Sequence, residues 1–147
     1  MRNDVPVRIR PLRLSDYDAI VRLAASSGLP LRLRGRDSRA SFARQLRSNR
    51  TEYLGAFEGD RLIGVVLGTH DSRKGWVNRL AVHPAYRRRG IATRLVRACE
   101  RALRAHGIAM FAALIDRDNG SSEDFFRSLG YEITLITYAR RKLRDAV

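Results

Sequence analysis

The stretch Leu80-Ala81-Val82-His83-Pro84-Ala85-Tyr86-Arg87-Arg88-Arg89-Gly90-Ile91-Ala92-Thr93 decides how this chain is read. Leu80, Ala81 and Val82 end a strand-like run, and Pro84 stops it. A helix begins near Arg89 or Gly90. Ile91, Leu95, Ala98, Ala102 and Leu103 share its apolar stripe with Cys99, while Arg94, Arg97, Arg101 and Arg104 recur on the opposite side. His106 and Gly107 close it.

A strand, a short loop and a helix start make an anion seat. Helix N-termini carry unpaired amides and about half a positive charge. Three arginines at such an end add like charge to the dipole, a conflict that a docked anion removes. Gly90 lets backbone approach a ligand, and Ala92 keeps the next turn small. The expected ligand is a pyrophosphate held mainly by main-chain amides. The nucleotide-hydrolase phosphate loop is excluded, because no Gly-Lys-Ser/Thr ending exists, and no Gly-x-Gly-x-x-Gly run occurs either.

Working outward, Val7-Arg8-Ile9-Arg10 alternates, and Leu12-Arg13-Leu14 resumes the pattern after Pro11. This predicts a first strand at a sheet edge. Ser15 reads as the N-cap of a helix, with Asp18 three residues on, and Gly28 and Pro30 end it. A second helix is predicted over 38–47. Strands are predicted over 53–57, 62–69 and 76–82, an antiparallel meander with a hairpin turn at Glu58-Gly59-Asp60-Arg61. The continuous apolar run 108–115 reads as a strand covered on both faces, often a parallel one. A short helix over 122–129 and strand-like residues 131–143 follow. The whole is a single domain over 1–147, an α/β (α+β) fold with a mixed, largely antiparallel sheet of six to seven strands covered by about four helices.

A second block lies downstream: Asn119-x-x-Ser122-x-x-Phe125-Phe126-x-x-x-Gly130-Tyr131. Arg87-x-x-Gly90-x-Ala92 after the strand resembles the acetyl-coenzyme A signature of the GNAT superfamily of N-acetyltransferases, Gln/Arg-x-x-Gly-x-Gly/Ala. The downstream block resembles that family's Asn-x-x-Ala-x-x-Phe-Tyr-x-x-x-Gly-Phe. One helix and one strand separate the two, and the resemblance covers nearly the whole chain. Among family members, the layout is similar to the small single-domain ribosomal-protein N-terminal acetyltransferases.

The resemblance implies acetyl-CoA as cosubstrate and a primary amine, small molecule or protein N-terminus, as acceptor. It implies that the main chain of Leu80, Ala81 and Val82 pairs with the pantetheine arm. Within the signature Arg87 to Thr93, the amides of Arg88, Arg89, Gly90, Ala92 and Thr93 would hold the pyrophosphate, with Ile91 between them. Asn119 would bond the cofactor arm, with Phe125 and Phe126 beside it. Strands 76–82 and 108–115 would splay to admit the thioester, and an amide near Val82 would polarise the acetyl carbonyl.

Two departures stand out. The family commonly puts a tyrosine second in the aromatic pair, as proton donor to the leaving thiolate; here it is Phe126, which has no proton to give. Tyr131 and Tyr138 are other hydroxyls, with nothing in the sequence to place them. Many members also use a strand-four glutamate as base, but Trp76-Val77-Asn78-Arg79 has no carboxylate. Asp116 is the candidate base, with a turn-capping acid as the plainer reading. The catalytic acid and base are otherwise unassigned.

Composition bounds the alternatives. The chain has 147 residues, 44% hydrophobic and 30% charged, with no apolar run approaching a bilayer span and no apolar stretch behind Met1. It therefore reads as a cytoplasmic protein without a membrane partner. Cys99, the one cysteine, reads as a core thiol. His70, His83 and His106 lie singly in turns or helix ends, so no metal is expected.

The net charge is +14, almost all of the basic side chains being arginine. Residues 1–50 carry +8 and residues 87–106 carry +6. Arg94, Arg97, Arg101 and Arg104 read most simply as a solvated face. Arg32, Arg34, Arg36 and Arg39 read either as a mobile loop or as recognition of a carboxylate or phosphate on the acceptor. A homodimer is a further possibility from the resemblance. Two alternatives stand beside the enzyme: a non-catalytic acyl-CoA sensor, and a basic nucleic-acid binder, which lacks interleaved aromatics and a binding motif.

Overall fold

A computed structural model describes residues 5–115 and 120–145. Strand β1 (Val7–Pro11) leads through a 3-10 turn (Leu14–Asp16) into α1 (Tyr17–Ser27), and α2 (Arg39–Ser48) follows. Strands β2 (Tyr53–Glu58), β3 (Arg61–His70) and β4 (Gly75–Val82) form the expected meander. A second 3-10 turn (Pro84–Tyr86) precedes α3 (Ile91–Ala105), then come β5 (Phe111–Ala112) and α4 (Gly120–Ser128). No described helix is long and apolar enough to cross a membrane.

The sheet runs β1-β2-β3-β4-β5, antiparallel except for the parallel β4–β5 pair that α3 connects. β1 is the edge, where Pro11 removes no ladder donor that the sheet needs. Because β3 is buried on both faces, two cores form. Ile63, Val66, Leu95, Val96, Cys99 and Leu103 pack beneath α3. Leu12, Ile20, Leu23, Phe42, Val65 and Leu67 pack beneath α1 and α2.

Three expectations are corrected. Ser15 is not the cap of α1. It lies in the 3-10 turn, and the Asp16 carboxylate accepts the Arg13 amide at 2.8 Å and the Arg10 guanidinium at 3.0 and 3.1 Å. A carboxylate with two donors outcompetes a hydroxyl for that turn. The first strand stops at Pro11 rather than resuming to Leu14. The sheet has five strands among the described residues, not six to seven. Apolar residues in 108–115 pair over only two positions, and residues 131–143 form no ladder. Alternation supplies a face, but a strand also needs a neighbour whose main chain is free, and Leu135, Ile136 and Tyr138 stay exposed.

Candidate active site

The β4–α3 junction is built from three local features. The first is a β-bulge. Val65 pairs with Ala81 and Leu67 with Asn78, so β4 carries one residue more than β3 across this step. Arg79 takes the extra turn in the left-handed region, with φ 53°. The second is a divergence. β4 pairs with β5 only at Gly75↔Phe111 and Trp76↔Ala112. Beyond Trp76 that edge of β4 has no strand beside it among the described residues. The third is the helix start. Gly90, at φ 73°, caps α3, and the first bond to close the helix runs from the Arg94 amide to the Gly90 carbonyl at 3.1 Å. The amides of Ile91, Ala92 and Thr93 precede that bond and have no acceptor within the helix.

The loop between is held from below. The His83 ring accepts the Ala85 amide at 3.1 Å, and the Tyr86 hydroxyl donates to Glu58 at 3.0 Å. The Arg61 and Arg89 guanidiniums lie 5.5 and 5.1 Å from the buried Tyr86 ring. Arg88 is itself left-handed, with φ 63°, and Arg87 through Gly90 are exposed. Alternating left-handed residues aim successive amides toward one side, the geometry of an anion nest. Leu80 is partly exposed, Ala81 and Val82 are buried, Ile91 is buried, and Ala92 and Thr93 lie between. The strand and the helix start therefore come together as the sequence predicted.

The downstream block is brought together less completely. Phe125 is partly exposed; Phe126 is buried in the core, with ring centroids 5.2 Å from Phe125 and 5.0 Å from Tyr131. Asn119 and Asp116 lie outside the described residues. Cys99 is fully buried, and burial, with Glu52 and Glu100 adding to it, pushes its thiol up to about 12, which suits a packing group.

Sequence reasoning missed one part of the site. The Arg79 guanidinium bonds the Asp37 carboxylate at 3.2 Å, and the same carboxylate oxygen accepts the Arg32 amide at 2.7 Å. The Tyr17 hydroxyl donates to the Asp37 carbonyl at 2.8 Å. The bulge of β4 is thus tied to the arginine-rich segment 31–37. Nearby, burial and Asp37 push the Tyr53 phenol up to about 12. Asp37 and Arg79 stand 42 positions apart, and no local pattern joins them.

The stripe on α3 also differs from a purely solvated face. Arg94 donates to the Val7 carbonyl at 2.9 Å, and Arg97 donates to the Leu129 carbonyl at 3.1 Å and to Glu100 at 2.9 Å. These two arginines tie α3 to β1 and to the end of α4 while remaining exposed, as Arg101 and Arg104 are.

Comparison with known proteins agrees with this geometry. The model of the acetyltransferase (GNAT) family matches residues 18–131. An acetyltransferase of Pectobacterium atrosepticum is 30% identical over 141 residues, covering 95% of this chain and 98% of the relative. The fold is similar to PaiA N-acetyltransferase from Thermoplasma acidophilum, solved with coenzyme A. The TM-score is 0.77 at 20% identity, over 88% of this chain and 91% of that one. It is also similar to the ribosomal-protein-alanine N-acetyltransferase of Brucella melitensis, with TM-score 0.70 at 22% identity over 93% and 100% of the chains. A match over most of the sequence, with a bulged fourth strand running into an amide-rich helix start, leads to one conclusion: the chain is an acetyltransferase of the GNAT family.

Proposed function

We propose that the chain moves an acetyl group from acetyl-CoA to a primary amine by direct attack within a ternary complex, with no covalent enzyme intermediate. The observation that carries this reading is the free edge of β4 beyond Trp76, leading into the unpaired amides of Ile91, Ala92 and Thr93. An extended pantetheine arm fits that edge as a partial strand along Leu80, Ala81 and Val82. Two phosphates fit the nest of Arg88, Arg89, Gly90, Ala92 and Thr93, with the exposed Arg87 side chain beside them to screen their charge. No side chain intrudes at Gly90, where even an added Cβ would meet nothing within 4 Å. Phe125, partly exposed with Phe126 packed behind it, walls the arm.

In the reaction, the amine nitrogen forms a bond to the acetyl carbon and the carbon–sulfur bond breaks. A main-chain amide near Val82 polarises the carbonyl, an effect of about 3–4 kcal/mol where a comparable donor is removed. The amine proton leaves to water or to Asp116, and coenzyme A departs as thiolate. Phe126 supplies no proton, and the Tyr131 hydroxyl is committed to Glu100.

The acceptor carries an acidic group as well as the amine. The supporting observation is the collection of cations at one end of the sheet. Arg32, Arg34 and Arg36 are exposed there, and the Lys142 ammonium is destabilised by desolvation and by Arg32, Arg140 and Arg36. A carboxylate or phosphate on a peptide or small amine relieves that repulsion. We further infer a homodimer through residues 131–143, whose Leu135, Ile136 and Leu143 are exposed. Sedimentation of the parent and of Ile136→Asp tests it, the parent alone sedimenting as a dimer. No nucleic-acid partner is proposed, since Arg94 and Arg97 serve the fold.

Thiol release from acetyl-CoA, measured over matched amines with and without a carboxylate or phosphate, tests the reading. Turnover favouring the acidic amines supports it. Coenzyme binding with no thiol release for any amine would make the domain a sensor instead.

A further inference from the structure

The other end of α3 holds a group of side chains that acetyl transfer does not use. Glu52 stands just before β2, His70 ends β3, and His106 caps α3. One ligand atom from each lies within 4.8 Å of the other two. The imidazole rings of His70 and His106 are stacked, with centroids 4.9 Å apart. Glu52 is only 1% exposed, and its Oε1 accepts no hydrogen bond of acceptable geometry, although His106 Nε2 lies against it.

A carboxylate that deep is costly unless its charge is met and its lone pairs are used. The His106 ring lies against that carboxylate but leaves Oε1 without a hydrogen bond of acceptable geometry. A metal ion uses both histidines in their neutral form and the carboxylate in its charged form. Two imidazole nitrogens and one carboxylate oxygen suit zinc and its borderline neighbours, and disfavour magnesium and calcium, which take oxygen ligands. His106 is exposed and His70 partly exposed over the buried carboxylate, so an ion has a path in and a water can complete the shell.

We propose that Glu52, His70 and His106 form a binding site for a zinc-class divalent cation. The site clamps the starts and ends of β2, β3 and α3 together. It lies about 22 Å along α3 from the coenzyme end, fifteen residues at 1.5 Å each. It therefore acts on stability and takes no part in turnover. The Ser72 amide donates to His70 Nδ1 at 3.1 Å. Binding exchanges that bond whichever nitrogen is used: the cation replaces the donor at Nδ1, or the ring changes tautomer, its proton moving from Nε2 to Nδ1, when Nε2 binds.

The test uses purified full-length protein treated with a chelator and titrated with zinc chloride. Calorimetry follows binding, and thermal unfolding is measured with and without the ion. The parent is expected to bind one equivalent and unfold at higher temperature with zinc, while magnesium has no effect. His70→Ala and His106→Ala change a partly exposed and an exposed residue, and circular dichroism checks that each variant is folded. Each is expected to weaken zinc binding by at least about tenfold and to lose the thermal gain. Cobalt(II) is expected to give visible absorption bands with the parent that both variants lack. Failure of the parent to bind an equivalent of zinc would overturn the proposal. So would undiminished binding by either variant.

Discussion

The Tyr131 hydroxyl donates to Glu100 Oε2 at 2.7 Å, and Arg97 holds the other oxygen of the same carboxylate at 2.9 Å. Burial first, and then the bond to Glu100 and its charge, raise the phenol well above its ordinary range. A phenol so placed holds its proton against Glu100. It links α3 to the segment after α4.

Tyr131→Phe is therefore expected to lower stability while sparing catalysis. A bond to a charged, buried acceptor contributes about 2 kcal/mol. Chemical denaturation should show a loss of that order, with kcat within about a factor of two of the parent. A loss of kcat of a hundredfold or more with an altered alkaline limb of its pH profile would return Tyr131 to the catalytic group.

Asp16 gives a pH-dependent contribution to folding. Its burial alone would raise the carboxyl, but the hydrogen bond from Arg10 and the Arg13 amide outweigh this and leave it lowered. A carboxyl lowered in the folded state stabilises it above the unfolded value of about 3.9, and that contribution fades as pH falls toward the folded value. Asp16→Asn is expected to be less stable than the parent at neutral pH. The gap, measured by urea unfolding at several pH values, should close below about pH 4. A gap that is constant with pH would remove the ionised Asp16 from the account.

Much of the fold is legible because the hydrophobic period is legible. The apolar runs of β2, β3 and β4, the turn at Gly59 and Asp60, and the apolar stripe from Ile91 to Leu103 each show in local sequence. The helix start at Gly90 shows for the same reason, since a glycine between a strand and a strong amphipathic helix has few other meanings. The extent of β5 and of the stretch after Tyr131 was not legible, because pairing depends on a neighbour that the segment does not encode. Asp37 with Arg79, and Glu52 with His70 and His106, are brought together by the crossover and the meander alone. No window of sequence contains either group.

Arg32 and Arg36 are expected to act on the acceptor and not on the coenzyme. Arg32→Ser and Arg36→Ser should raise KM for an amine bearing a carboxylate or phosphate by about tenfold, the size of one exposed charge-assisted contact of about 1.4 kcal/mol. KM for acetyl-CoA and turnover of a neutral amine should stay unchanged. Equal effects on acidic and neutral amines would show that these arginines do not read the acceptor's charge.

Calorimetric titration of acetyl-CoA into the parent and into Gly90→Glu tests the central claim most directly, with Gly90→Asn as the control for backbone strain at φ 73°. The account expects the parent and Gly90→Asn to bind and Gly90→Glu to show no heat, because a carboxylate at the start of α3 repels the phosphates. Binding to Gly90→Glu as tight as to the parent would contradict it.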